Sequence, residues 1–125
     1  MTDPNYIRAY RLINTPDGGC TFEPGKLPTK MPMETGNFWI QNEIDEYEKI
    51  SHPAPRNQYV VTLKGTLRFK VTDGTTFIIE PGIILIAEDT IGKGHSWELI
   101  EGETWERLYI PLAMNASDNF IPEKG

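Results

Sequence analysis

From residue 58 to residue 87 apolar and polar side chains take turns along the chain, and this two-residue period limits the fold more than any other feature. A strand points successive side chains to opposite faces, so the pattern suits a sheet with one buried face rather than a helix. Gln58 to Leu63 alternates and Gly65 turns the chain. Leu67, Phe69 and Val71 then share one face, while Arg68, Lys70 and Thr72 share the other. Asp73-Gly74 has the chemistry of a two-residue hairpin turn, which needs positive φ. Thr75 to Ile79 returns as a strand, Pro81-Gly82 breaks it, and Ile83 to Ala87 is a buried strand. Trp97 to Ile100, a turn at Glu101-Gly102-Glu103 and Thr104 to Leu112 read as a further hairpin.

The flanks read the same way. Residues 6–13 are rich in β-formers and predict a first strand, which would leave an exposed edge unless covered or paired. Asp17-Gly18-Gly19 turns the chain, and Thr21-Phe22 is a short strand closed by Pro24-Gly25. Residues 23–36 hold three prolines and predict a surface connection folded over the mouth of the site. Residues 37–44 regain strand character, with Phe38 and Ile40 on one face and Trp39 and Gln41 on the other. The acids of 43–48 read as a solvated loop or a short helical turn. The tail, 113–125, is polar and proline-broken, and is expected to pack loosely. Ten prolines and eleven glycines are spread so evenly that no long segment keeps a helical period. The prediction is all-β, in one domain spanning 1–125 with its core at about 37–112.

Charge and hydropathy exclude several roles. A formal charge of −6 and 18 acidic residues argue against a nucleic-acid surface. The longest apolar run, Ile83 to Ala87, is far too short for a membrane-spanning helix, and the N-terminus has no apolar signal segment. Cys20 is the one cysteine, so no intrachain disulfide can form. The expectation is a cytoplasmic protein acting on a small molecule.

The only two histidines, His52 and His95, bracket the hairpin-rich stretch. Around them the chain reads His52-x-Ala54, three residues, Gln58, six residues, Gly65, and later Pro81-Gly82 followed by A-E-D-T-I-G-K-G-H ending at His95. These segments resemble the two motifs of the cupin superfamily, and in particular its short single-domain members with H-x-A-P-R-x-Q and A-E-D-T-x-G-K-G-H. The resemblance covers His52 to Leu112. It implies an antiparallel β-barrel of jelly-roll type, a pocket at its mouth, and pairing into a homodimer. Where the usual first motif has a second histidine and a glutamate, this chain has Ala54 and Gln58.

The usual cupin site binds a divalent metal through three imidazoles and a carboxylate. Here His52, His95 and Gln58 match ligand positions but make a poor set, because an amide oxygen carries no charge. The expectation is therefore no cofactor, or a weakly held iron, zinc, nickel or manganese, with Glu88, Asp89 or Glu48 as an added carboxylate. Imidazoles titrate near neutral pH, so His52 and His95 are candidate proton donor and acceptor, with Gln58 orienting a substrate oxygen. Arg56 is expected to brace its loop or meet an anionic substrate. Glu88, at a strand end, is the expected pocket carboxylate, and Trp39 and Trp97 are candidate walls. The favoured activity is acid–base chemistry of the isomerase, dehydratase, cyclase or lyase type. The alternatives are a metal-dependent oxygenase or lyase and a metabolite-binding module without turnover.

Overall fold

A computed structural model describes residues 5–44 and 50–123; the acids of 45–49, Glu48 among them, lie outside the described residues. Eight strands follow in order: β1 (Tyr6–Asn14), β2 (Cys20–Pro28), β3 (Trp39–Gln41), β4 (Gln58–Lys70), β5 (Thr76–Ile79), β6 (Ile84–Ala87), β7 (Ser96–Pro111) and β8 (Ile121–Pro122). Among the described residues there is no helix, and so none long and apolar enough to cross a membrane. The strands form one sheet in the order β3-β7-β4-β6-β1-β2-β8, with β5 beside the far half of β4. The β1–β6 pair is parallel, whereas the others are antiparallel. The sheet is thus all-β but mixed, and it does not close: no ladder joins β3 to β8.

The period-two pattern buries as expected. Leu67, Phe69 and Val71 are buried while Arg68, Lys70 and Thr72 are exposed, and with Tyr10, Leu12, Phe77, Leu85, Trp97 and Trp105 they form the main core. The sheet bends enough for Phe77 of β5 to meet Tyr10 of β1, ring centroids 4.8 Å apart, and Phe22 of β2 at 4.5 Å. A second cluster, Ala9, Leu27, Tyr59, Ile86 and Phe120, sits on the opposite face. Along β4 the parity is visible directly, since Val60 joins the first cluster and Tyr59 the second.

Several expected turns are strand interior. The hairpin foreseen at Glu101-Gly102-Glu103 does not exist; β7 runs through it, paired with β4 along almost its whole length. Gly65 likewise bends β4 without ending it. Lys64 pairs with Glu106 and Thr66 with Glu101, so the β7 residues between bulge out opposite Gly65. Gly65 and Gly102 have φ of 108° and 98°, and a Cβ on Gly65 would stand 2.8 Å from the Thr104 carbonyl oxygen. Positive φ serves a β-bulge as well as it serves a turn.

Pro24-Gly25 is also interior, because β2 continues to Pro28. A side chain at Gly25 would collide with Phe120 and the Ile121 carbonyl, so the glycine makes room for the tail. That tail is not loose. Phe120 is buried, β8 pairs with β2, and the Tyr59 hydroxyl donates to the Asp118 carbonyl at 2.9 Å. The connection after β2 does not cover the mouth of the site either. Met33 packs against the second cluster, and Thr35 bridges to Leu112. The first strand offers no free edge, since β1 lies between β6 and β2.

The tail is also held by charge. Arg11 donates to Asp118 at 2.9 Å and to Glu23 at 2.8 Å, and Glu88 shares a hydrogen bond with Asp118. Burial, then the Asp118 carboxylate, push Glu88 up to about 7. Burial works to raise Asp118 too, but hydrogen bonds from Glu88, the Phe120 backbone and Arg11 outweigh it and hold it low. Between the ordinary value of 4.5 and about 7 the folded chain holds a proton at Glu88 that the unfolded chain has released. Stability from this group is therefore full below the lower value and is lost as pH rises through the upper one. Glu88→Gln, which keeps a donor toward Asp118 at every pH, should flatten this loss and raise Tm by about 3–5 °C at pH 8 relative to the parent chain. Thermal melts of both proteins from pH 5 to pH 8 read the difference directly.

Candidate functional site

Two backbone hydrogen bonds bring the distant histidines together. His52 N–H donates to the His95 carbonyl at 2.9 Å, and His95 N–H donates to the His52 carbonyl at 3.0 Å, an isolated antiparallel bridge just ahead of β4 and β7. The ring centroids lie 5.0 Å apart. The A-E-D-T-I-G-K-G-H loop is clamped at several further points. Glu88 N–H donates to the Leu12 carbonyl, Ala54 N–H to the Asp89 carbonyl and Lys93 N–H to the Gly18 carbonyl, and the Asn14 side chain donates to the Ile91 carbonyl at 2.6 Å. Gly94 has φ of 69°, and a Cβ there would run into the His52 carbonyl. Only glycine lets the two backbones approach this closely.

The bridge stands at the rim of a cavity of about 290 Å³. Its walls are apolar and aromatic, with Phe69, Trp97 and Trp105 inside and Trp39 and Tyr109 on the β3–β7 side. Trp97 and Trp105 meet edge to face at 4.8 Å, and Trp105 Nε1–H is satisfied by Thr62 Oγ1 at 3.0 Å. The polar lining is His52, His95, Gln58, Gln41 and Arg56, with the Tyr109 ring. A hollow of this kind, largely apolar with a few converging polar groups, is the usual form of a small-molecule site.

Behind His95 lies a fully buried carboxylate. His95 Nδ1 is 2.5 Å from Asp89 Oδ2, with Asp89 0 % exposed. A carboxylate only accepts, so Nδ1 carries a proton, and in the neutral ring the other nitrogen, Nε2, is the acceptor. His52 is held by the same logic, its Nδ1 lying 2.8 Å from the Ile50 carbonyl oxygen. Among the described residues the second Asp89 oxygen, Oδ1, has no partner at full hydrogen-bond geometry, the Cys20 thiol being the group that faces the carboxylate. Cys20 lies beside it; burial, then the Asp89 charge, push its thiol far above the ordinary cysteine value. Cys20, Asp89 and His95 offer ligand atoms within 4.8 Å of one another, and this buried group could hold a metal ion.

Gln58, which stands where the resembled motif has a glutamate, faces its neighbour rather than a cation site. Gln58 is buried, and its Oε1 accepts from Arg56 Nη1 at 3.0 Å. Arginine has only donors, so the atom facing it must be the amide oxygen and the NH₂ group is the end left for the cavity. An NH₂ group cannot ligate a cation. The His52–His95–Gln58 set therefore offers two imidazoles, short of the three strong protein ligands such centres normally have, and does not fit a metal. Arg56 itself lies over Trp39, 5.0 Å from the ring centroid.

His52, His95, Gln58, Trp39, Arg56 and Trp97 thus line one cavity. Glu88 does not. It lies on the other face with Asp118, because Leu85 and Ala87 point into the cavity and position 88 has the opposite parity. The acid that reaches the site is Asp89, one residue on. Its parity with Leu85 and Ala87 was the available signal. Phe69, Trp105 and Tyr109 follow from the same alternation, whereas nothing in the sequence pairs Cys20 with the loop that precedes His95. Lys93 is exposed and makes no contact with the cavity.

Gly94→Ala should cost about 1–3 kcal/mol of stability and separate the two rings, because its backbone cannot hold both the left-handed φ and the His52 contact. Urea denaturation measures the first effect and the imidazole NMR shifts of His52 and His95 the second. Compared with family models, with curated proteins and with solved structures, the chain finds no match in any of the three.

Proposed function

We propose that the chain is a small-molecule enzyme of cupin type, its sheet rolled toward a barrel, which moves protons on a carbonyl-bearing substrate. The observation that carries this reading is the buried Asp89–His95 hydrogen bond behind a cavity-lining imidazole. His95 Nε2 takes a proton from the carbon beside the carbonyl, and the C–H electron pair moves to the carbonyl oxygen as an enolate. The resulting imidazolium is stabilised by the Asp89 carboxylate, as a carboxylate stabilises the charged ring in other acid–base pairs. The Gln58 NH₂ group and Arg56 donate to substrate oxygen, where negative charge develops. His52, 5.0 Å from His95 between ring centroids, enters the cycle as the imidazolium and gives its Nε2 proton either to a second carbon, giving isomerisation, or to a departing hydroxyl, giving dehydration; solvent then exchanges protons with both rings to restore the starting state. Positioned acid–base groups contribute about 10²–10⁴-fold to such rates.

The test is solvent deuterium incorporation into a panel of carbonyl acids, followed by proton NMR. His95→Gln should abolish exchange. Asp89→Asn should slow it about 10²-fold or more while leaving binding of the same compound nearly intact. Exchange that persists unchanged in both variants removes His95 from the chemistry.

A second reading, a metal protein, is supported by the buried Cys20–Asp89–His95 group, in which Asp89 Oδ1 has no partner at full hydrogen-bond geometry among the described residues. A divalent cation between Cys20, Asp89 and His95 would satisfy that oxygen and balance one thiolate and one carboxylate. Of iron, zinc, nickel and manganese, a sulfur ligand favours zinc or iron over manganese. On this reading, cobalt(II) added to the purified protein should give a thiolate-to-cobalt charge-transfer band that Cys20→Ser eliminates. A chain that shows no such band and holds no metal by elemental analysis excludes it.

A further inference from the structure

The chain carries 18 acidic residues and a formal charge of −6, yet among the described residues that line the cavity none is an aspartate or a glutamate. Among the same described residues the one fully charged side chain on the lining is the Arg56 guanidinium. Among the described residues no carboxylate pairs with it. Its polar contact is Gln58 Oε1 and its flat contact is the Trp39 ring. These two contacts leave most of its five N–H donors to water or ligand, and they fix its plane. Gln58, its oxygen engaged by Arg56, adds an NH₂ group on the same side of the lining. The cavity therefore presents a guanidinium fork and an amide donor side by side.

Volume and walls narrow the class further. About 290 Å³ lies at the small end of ligand cavities, which run from about 300 to 1,000 Å³. Phe69, Trp97 and Trp105 form one wall, with rings 4.8–6.5 Å apart, and Trp39 and Tyr109 pack at 5.6 Å on another. Aromatic walls favour a flat, apolar body. We infer that the cavity takes a small carboxylate borne on a single planar ring, with Arg56 and the Gln58 NH₂ group on the carboxylate and the ring against the tryptophans. A phosphate dianion is the poorer match, because a single guanidinium and a neutral amide would leave it undercompensated. The inference rests on the reading of this cavity as the ligand site and names what enters it.

The experiment is equilibrium titration of the full chain with benzoate, benzamide and inorganic phosphate, read by calorimetry and by tryptophan fluorescence. Benzoate should bind at least about ten-fold more tightly than benzamide, as one charge-assisted pair would give. Its affinity should fall with added salt. Arg56→Gln should remove that preference while leaving benzamide unaffected, and Arg56→Lys should recover part of it. Gln58→Glu should weaken benzoate more than Gln58→Leu does, since it adds repulsion to the loss of a donor. Arg56 is exposed, so these variants are expected to fold, and thermal melts check that they do. Benzamide binding as well as benzoate would overturn the carboxylate and leave the cavity reading standing. Phosphate binding as tightly as benzoate would overturn the ring-bearing class. If none of the three binds up to about 10 mM, the ligand-site reading falls with it.

Discussion

Two backbone hydrogen bonds, between the peptide groups of His52 and His95, tie the segment ahead of β4 to the segment ahead of β7. Those strands are the longest in the chain and pair with each other through most of their length. The bridge extends that ladder past the strand ends, so the stiffest part of the sheet sets the spacing of the rings. Gly94 permits the contact by having no Cβ to meet the His52 carbonyl. The cavity, the relation of the imidazoles and the approach of Asp89 to His95 all follow from this close passage of two backbones.

Burying Asp89 has a price that shapes the site. An ionised carboxylate removed from water is unfavourable unless it is paired and hydrogen-bonded. His95 meets that need through Nδ1, which in turn holds the ring and sets which nitrogen carries the proton. The same hydrogen bond that makes the carboxylate tolerable therefore makes the imidazole directional. Elsewhere on the lining, Arg56 does the equivalent for Gln58, choosing which end of the amide is left for a ligand. Two neutral or titratable side chains are given fixed polarity by charged neighbours, and the lining gains an acceptor at one residue and donors at others.

Glycine and proline signals marked places where the backbone departs from a plain strand, but not which departure occurs. Gly65 and Gly102 face each other across a bulge, and Gly25 is small because Phe120 comes back over it. In each case the local chemistry permits a turn equally well. The deciding partner is supplied by a segment far away in sequence, and the contribution of the tail depends on Arg11 and Glu88 meeting Asp118.

By itself the sequence determined the all-β class and the buried faces of β4, β5 and β6, because side-chain parity along a strand is a local property that survives any tertiary arrangement; the six named side chains that line the cavity came instead from the motif resemblance and from the usual place of tryptophans in pocket walls. It also placed the histidines at the two ends of one hairpin-rich stretch. Tertiary structure alone decided that the sheet stays open and mixed, that β4 and β7 run on through their glycines, and that the tail becomes an eighth strand. It decided, too, that Asp89 rather than Glu88 serves the site, with Cys20 beside it, and that Gln58 turns its oxygen to Arg56. Those outcomes depend on which distant groups meet, and a hydrogen bond or a buried charge takes its value from a partner that no single stretch of chain contains.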